Sequence, residues 1–304
     1  MRTFIVALIA QTTLGACLSA PATLQRVVHE VRDLSQTSAF YEGCFGLSAL
    51  PVDGRTVLAA SSGAGLGLEL LDSPRAEGYD AGGAYSGLSV LTPDLDAALA
   101  AARSHGGAVL SAPELVEYGA SLVPDEEEET TTSVRQAAVA DPDGYPLLLY
   151  EGGGGGGAVL TGVRLDVYEW KSSQTWYEET LGWKTLRWQS NVPSDASVTV
   201  TLGAERDAAV GPCGPVAAGE PPVVHARYRY GCKPTKLAGV KAMVLGGEGG
   251  ELADPDGVPI RRAAEVVAAA PEADAPAEVA AAAPEAAAAP EPDAPAGFEW
   301  GLTL

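Results

Sequence analysis

Metal and acid–base chemistry is built mostly from histidine, cysteine and carboxylate side chains. This 304-residue chain holds three histidines and four cysteines, with no CxxC or Cys/His cluster that would suggest a structural zinc. His29 follows Arg26 by three residues in the β-like run Arg26-Val27-Val28-His29-Glu30-Val31. Strand side chains alternate, so the two point to opposite faces. His105, in Ser104-His105-Gly106-Gly107, reads as a surface residue at a helix end. His225 reads as a half-buried strand histidine. Cys44 reads as a small core residue, and Cys213 and Cys232 could pair in an oxidising compartment, which spacing alone does not decide. Carboxylates are abundant: 40 Asp and Glu against 19 Lys and Arg give a net charge of -21. Such a surface favours solubility and repels phosphate backbones and anionic headgroups, so no nucleic-acid partner is expected. The run Asp125 to Thr132 (DEEEETTT) reads as a solvated hairpin loop.

The elements that must position these residues repeat along the chain. Asp33 can cap a helix through Phe40, Tyr41 and Cys44, ended by Gly46, and Trp170 to Trp183 (WKSSQTWYEETLGW) restates it. Tyr41 and Tyr177 stand 136 residues apart, as do Gly46 and Gly182. Two turn words, Asp141-Pro142-Asp143-Gly144 and Asp254-Pro255-Asp256-Gly257, each lead into an apolar strand. The chain is a tandem duplication of βαβββ units. In the first half, strands are expected at 25–32, 47–52, 55–61 and 65–71 around a helix at 33–46. The second unit runs from Gly87 through the helix Asp94 to Ser104 and strands at 108–110 and 133–139 to a last strand, Leu147 to Tyr150. In the second half, a strand at 160–168, a helix at 171–182 and strands near 183–188 and 197–202 precede a unit opening at Val223. That unit continues with a helix from Lys233 to Leu245 and has lost one or two strands, leaving an unfilled sheet edge that points toward assembly.

Residues 1–20 read as a targeting segment, with Arg2, an apolar stretch Phe4 to Ala10 and small residues at Ala16 to Ala20. Export into a bacterial periplasm, as a lipoprotein through Cys17, or into an algal plastid are the open alternatives. No stretch is long and apolar enough to span a bilayer. Folded domains are expected at 24–151 and 158–265, joined by six glycines at 152–157. Residues 266–297 form an Ala/Pro/Glu tether that cannot build a core. It ends in seven residues that read either as a docking peptide, with Phe298, Trp300, Leu302 and Leu304 as partner-binding residues, or as a tail that folds back on its own domain or has no role.

Paired βαβββ units carrying DL-x5-FY-x4-G and a closing DPDGY strand resemble glyoxalase I and the wider vicinal oxygen chelate superfamily, most closely the long, two-domain form of plants and algae. The resemblance covers about residues 24–265. It implies an α+β fold of cup-shaped mixed sheets. It also implies a divalent metal, zinc or nickel, in the cup, and isomerisation of the methylglyoxal–glutathione hemithioacetal with a metal-bound carboxylate moving the proton. Carried over position by position, the family's ligands fall on Arg26, Glu69, Gly87 and Leu148 in the first half. In the second they fall on Gly162, no acid between Val198 and Leu202, His225 and Arg261. Because the long form exchanges halves between its sites, Glu69 and His225 are expected to share one cup with Arg26 and Arg261. Glu69 is then either catalytic acid–base and metal ligand together with His225, or an ion-pair partner of Arg26 or Arg261.

Two ligands and two cations make a poor metal cage and a better seat for a small anionic ligand, since arginine forks match carboxylate or phosphate. The expected function is therefore a non-catalytic binding or scaffold protein with a degenerate metal site. It would have no cofactor, and a protein partner would be reached through the C-terminal peptide or the shortened second domain. The alternative is an active lactoylglutathione lyase with atypical ligands. Extradiol dioxygenases share the fold but need two histidines and a glutamate in the second half. The drug-sequestering bleomycin-resistance branch needs no metal, but its members are usually dimers of one domain.

Overall fold

The computed structural model describes residues 23–263, other than 53–54, 61–64, 74–78, 80–83, 121–129, 153–156, 191–195, 205–220, 232–233, 235–239 and 247–250. The expected leader and tether, the expected docking residues Phe298, Trp300, Leu302 and Leu304, both Cys213 and Cys232, and most of the run of glycines at 152–157 lie outside the described residues. Among the described residues no helix is long and apolar enough to cross a membrane.

Four modules follow one another. The first is β1 (Leu24–Val31), α1 (Leu34–Phe45), β2 (Leu47–Val52), β3 (Arg55–Ala60) and β4 (Gly67–Asp72). The second is β5 (Tyr85–Thr92), α2 (Leu95–Ser104), β6 (Ala108–Ala120), β7 (Thr130–Ala140) and β8 (Pro146–Glu151). The third is β9 (Val159–Asp166), α3 (Trp170–Leu181), β10 (Lys184–Ser190), β11 (Ser197–Gly203) and β12 (Val223–Arg229). The fourth has three described strands, β13 (Val240–Gly246), β14 (Glu251–Ala253) and β15 (Pro259–Ala263). In every module the first strand lies parallel to the last, as β1 to β4, β5 to β8, β9 to β12 and β13 to β15.

The modules combine crosswise, as the tandem cup reading requires. A seven-stranded sheet in the order β14-β15-β13-β1-β4-β3-β2 joins the first module to the fourth. An eight-stranded sheet in the order β10-β11-β12-β9-β5-β8-β7-β6 joins the third to the second. One main core runs through both, with Val27, Phe40, Tyr41, Leu88, Tyr145, Val163, Tyr177, Trp183, Met243 and Val258 all buried.

Local chemistry explains the two corresponding helices. Asp33 accepts the backbone N–H groups of Ser35 and Gln36, and Glu169, 136 residues on, does the same for Lys171 and Ser172. Gly46 (φ 63°) and Gly182 (φ 70°) end these helices in the left-handed region that a side chain would oppose. The two turn words then clasp the strand-to-helix corners. Asp143 accepts from Arg32 N (3.0 Å), Arg32 Nε (2.9 Å) and Thr37 Oγ1 (2.7 Å), and Asp141 from Tyr41 Oη (3.1 Å). In the second half Asp256 accepts from Tyr168 N (2.8 Å) and Ser173 Oγ (3.0 Å), and Asp254 from Tyr177 Oη (3.0 Å). Each acid turn thus ties a later module to the corner of the module that opens its half.

Two expectations for the last part of the chain need correction. Val223–Arg229 does not open the fourth module; it closes the third, parallel to β9. The expected helix from Lys233 to Leu245 is replaced, over its described part, by strand β13 between β1 and β15. Met243 and Leu245 of β13 face the main core, while Ala242 and Val244 are buried on the other side. A strand buried on both faces lacks alternation, and its periodicity cannot be told from that of a buried helix.

Candidate functional site

The two inner sheet faces, turned away from the helices, are where the fold could hold a ligand. On the seven-stranded sheet, Arg26 and Val28 of β1 point to this face, with Val28, Ala242 and Val244 in a small apolar cluster completed by Leu71. Glu69 stands opposite Val28 across the parallel ladder and is fully buried. Its Oε2 accepts from Arg26 Nε at 3.0 Å and its Oε1 from Arg55 Nη1 at 2.6 Å, so both oxygens are engaged by guanidinium groups. Arg261 does not reach Glu69. It shares a cross-strand row with Val244 and Arg26, which places it two strands from Arg26, about 10 Å at the usual strand spacing. Its Nε pairs with Glu251 at 3.1 Å on the sheet's edge strand.

His225 does not share this cup, contrary to expectation. Because β12 closes the third module, His225 lies on the eight-stranded sheet, opposite Arg164, in the place Glu69 holds opposite Val28. Its Nδ1 lies 3.1 Å from Thr201 Oγ1. Gly87 and Gly162 lie on the same inner face, and Leu148 pairs with Ser89 there. The positions where a metal cage would have to form are therefore Arg26, Glu69, Ala242 or Val244 and Arg261 in one cup. In the other they are Gly162, His225, Gly87 or Ser89 and Leu148. One carboxylate already held by two arginines, and one imidazole among glycine, serine and leucine, do not fit a divalent cation. Among the described residues no three His, Cys, Asp or Glu side chains come together where they could hold one.

His29, His105, Asp141, Asp254 and Cys44 serve the fold. His29 is fully buried on the core side of β1, stacked on Tyr145 (4.2 Å between ring centres), with Nε2 2.8 Å from Tyr85 Oη. Burial lowers its pKa to about 3, so it stays neutral. Asp141 is pushed up to about 7 and Asp254 to about 6, chiefly by burial. Cys44 is free, and burial raises its thiol to about 12, which leaves it unreactive. His105 caps α2 and is exposed.

Residue-type reasoning passed over Arg55, Arg164 and Ser89. For Arg164 a signal existed: it stands 136 residues after Val28 and two after Gly162, so strand alternation puts it on the ligand face. Arg55 carried no such signal, because its meeting with Glu69 depends on the β3–β4 hairpin.

Comparison with known proteins agrees with this architecture. Residues 23–149 match the family described as Glyoxalase/Bleomycin resistance protein/Dioxygenase superfamily. The crystal structure of glyoxalase I from Zea mays is similar with a TM-score of 0.59 at 20% identity, over 79% of this chain and 92% of that one. A putative dioxygenase from Bacillus subtilis is similar with a TM-score of 0.50 at 10% identity, over 81% of this chain and 86% of that one. No curated protein matches in sequence.

Proposed function

Starting from a chain whose residues 23–149 belong to the glyoxalase superfamily, and whose fold is that of two-domain glyoxalase I, we propose a binding or scaffold protein that works without a metal, rather than an isomerase. The observation that carries this reading is the Arg26–Glu69–Arg55 cluster. Isomerisation in such a cup needs a cation to polarise two adjacent oxygens and a base to carry a proton between carbons. Glu69 is the one carboxylate at a ligand position, and both its oxygens serve guanidinium groups that bring positive charge to where a cation would sit. Loss of the cage leaves a folded, partly cationic cup suited to holding an anion, and among the described residues the one carboxylate at a ligand position is held by two arginines.

The test is elemental analysis of the full chain purified without chelators, together with turnover of the methylglyoxal–glutathione hemithioacetal. The expected result is less than stoichiometric metal and no turnover above background. One tightly held divalent ion per chain with measurable turnover overturns the reading and restores the lactoylglutathione lyase alternative.

A further inference from the structure

We propose that the inner face of the eight-stranded sheet is a binding site for a small organic carboxylate, with Arg164 and Ser89 as its grip and an apolar wall for its body. This site is separate from the cup that holds Glu69, and it does not depend on how that cup is read. The eight-stranded sheet curls until its edge strands β6 and β10 come into contact. An eight-stranded curl has an interior wide enough for side chains or one small ligand. Helices α2 and α3 pack on the outer side, against Ala137, Leu147 and Leu149 and against Val200, Leu202 and Val224. Strand alternation then assigns Ser89, Leu91, Leu148, Arg164, Thr201 and His225 to the interior.

Two of these residues are incomplete as they stand. Arg164 donates from Nη1 to Tyr150 Oη at 3.2 Å and meets no carboxylate among the described residues. The acid next on its face of β9, Asp166, is taken by Arg227 at 2.7 and 3.2 Å. Ser89 is fully buried and its Oγ has no hydrogen-bond partner. Buried hydroxyls are nearly always satisfied, and one left alone costs stability, so its retention calls for a ligand atom.

The two lie together. Arg164 starts beside Gly87, whereas Tyr150 stands beside Leu91, further along β5 and past Ser89. To reach that hydroxyl the guanidinium passes over Gly162, which pairs with Ser89 and has no side chain to block it. A fork of N–H donors, a phenol and an unsatisfied hydroxyl over one backbone stretch match the two oxygens of a carboxylate. Beside them Leu91, Val134, Tyr150 and Leu148 form an apolar cluster, and Leu186 with Val223 forms another. A ligand with a carboxylate head and a hydrocarbon body satisfies both halves, whereas inorganic phosphate satisfies one.

Isothermal titration of the full chain with octanoate, octanamide and inorganic phosphate tests this. Octanoate should bind with Kd at or below about 1 mM. Octanamide should bind at least about tenfold more weakly, because it cannot draw a charge-assisted hydrogen bond. Phosphate should not displace octanoate. Arg164→Met should weaken octanoate at least about tenfold. Ser89→Ala removes a hydroxyl that bonds to nothing in the free protein. It should leave the melting temperature unchanged or raised while weakening octanoate severalfold, a combination that a purely structural serine would not give. Arg103→Gln, on the exposed side of α2, should change nothing. The proposal falls if octanoate does not bind, if octanamide binds equally well, if phosphate competes, or if neither Arg164→Met nor Ser89→Ala alters a binding event in a folded protein. Octanoate binding is read separately from metal content and hemithioacetal turnover, so failure here is distinct from failure of the metal-free reading.

Discussion

Replacing Glu69 with alanine separates an ion-pair residue from a metal ligand. The Glu69 side chain is 0% exposed, that of Arg26 is 8% exposed and that of Arg55 is 49% exposed. Loss of the carboxylate removes one partner of the buried Arg26–Glu69 pair, which costs about 3–5 kcal/mol. The half-exposed Arg55 is screened by water and adds at most about 1 kcal/mol. Against a total stability of about 5–15 kcal/mol for an ordinary domain, Glu69→Ala should be among the most damaging single changes in the protein. The paired change Glu69→Leu with Arg26→Met removes both buried charges and should recover most of the loss, since well-packed apolar replacements of buried pairs are often neutral. Urea unfolding, with and without a chelator, is the assay. A loss under about 1 kcal/mol for Glu69→Ala would refute the reasoning. So would a wild type that loses the same amount on chelation alone, because the carboxylate would then be serving a metal.

Asp141 and Asp254 give a pH dependence whose sign follows from burial. Their carboxyls are raised from an ordinary value of 3.8 to about 7 and about 6, so the native state holds their protons more tightly than the unfolded chain does. Their contribution is fully present below about pH 4 and is lost as the pH rises through 6 to 7. The stability of the wild type relative to Asp141→Asn, followed by thermal unfolding, should therefore fall between pH 4 and pH 7. A flat or rising difference would contradict this. The two clasps should behave alike and independently: Thr37→Val and Ser173→Ala each cost about 1–3 kcal/mol by leaving Asp143 or Asp256 one donor short. The double variant should be additive within about 0.5 kcal/mol, because the corners share no partner. A strong coupling measured by denaturant unfolding would show that they are not separate.

The duplication was readable from residues alone because its signals are local. Asp33, Gly46 and Gly182 mark helix ends by backbone chemistry, and the two DPDG words need no distant partner to be recognised as turns. Strand alternation on β1 placed Arg26 and His29 on opposite faces, as the structure has them. What Asp143 and Asp256 hold could not be read in this way, since Thr37 and Ser173 lie 106 and 83 residues away in sequence.

Tertiary structure alone decided which sheet each late strand enters. Ala242, Met243, Val244 and Leu245 form an apolar run that suits helix or strand until β1 and β15 are set on either side of it. Once β13 takes that place, β12 becomes the end of the third module and His225 moves to the opposite cup. The second guanidinium on Glu69 was likewise set by pairing: Arg26 meets the carboxylate as expected, and β3 delivers Arg55 rather than Arg261 to its other oxygen. A sequence records what a residue's own backbone and neighbours require. Which face of which sheet a carboxylate meets is fixed by hydrogen-bond registers between strands tens to hundreds of residues apart, and no local pattern encodes them.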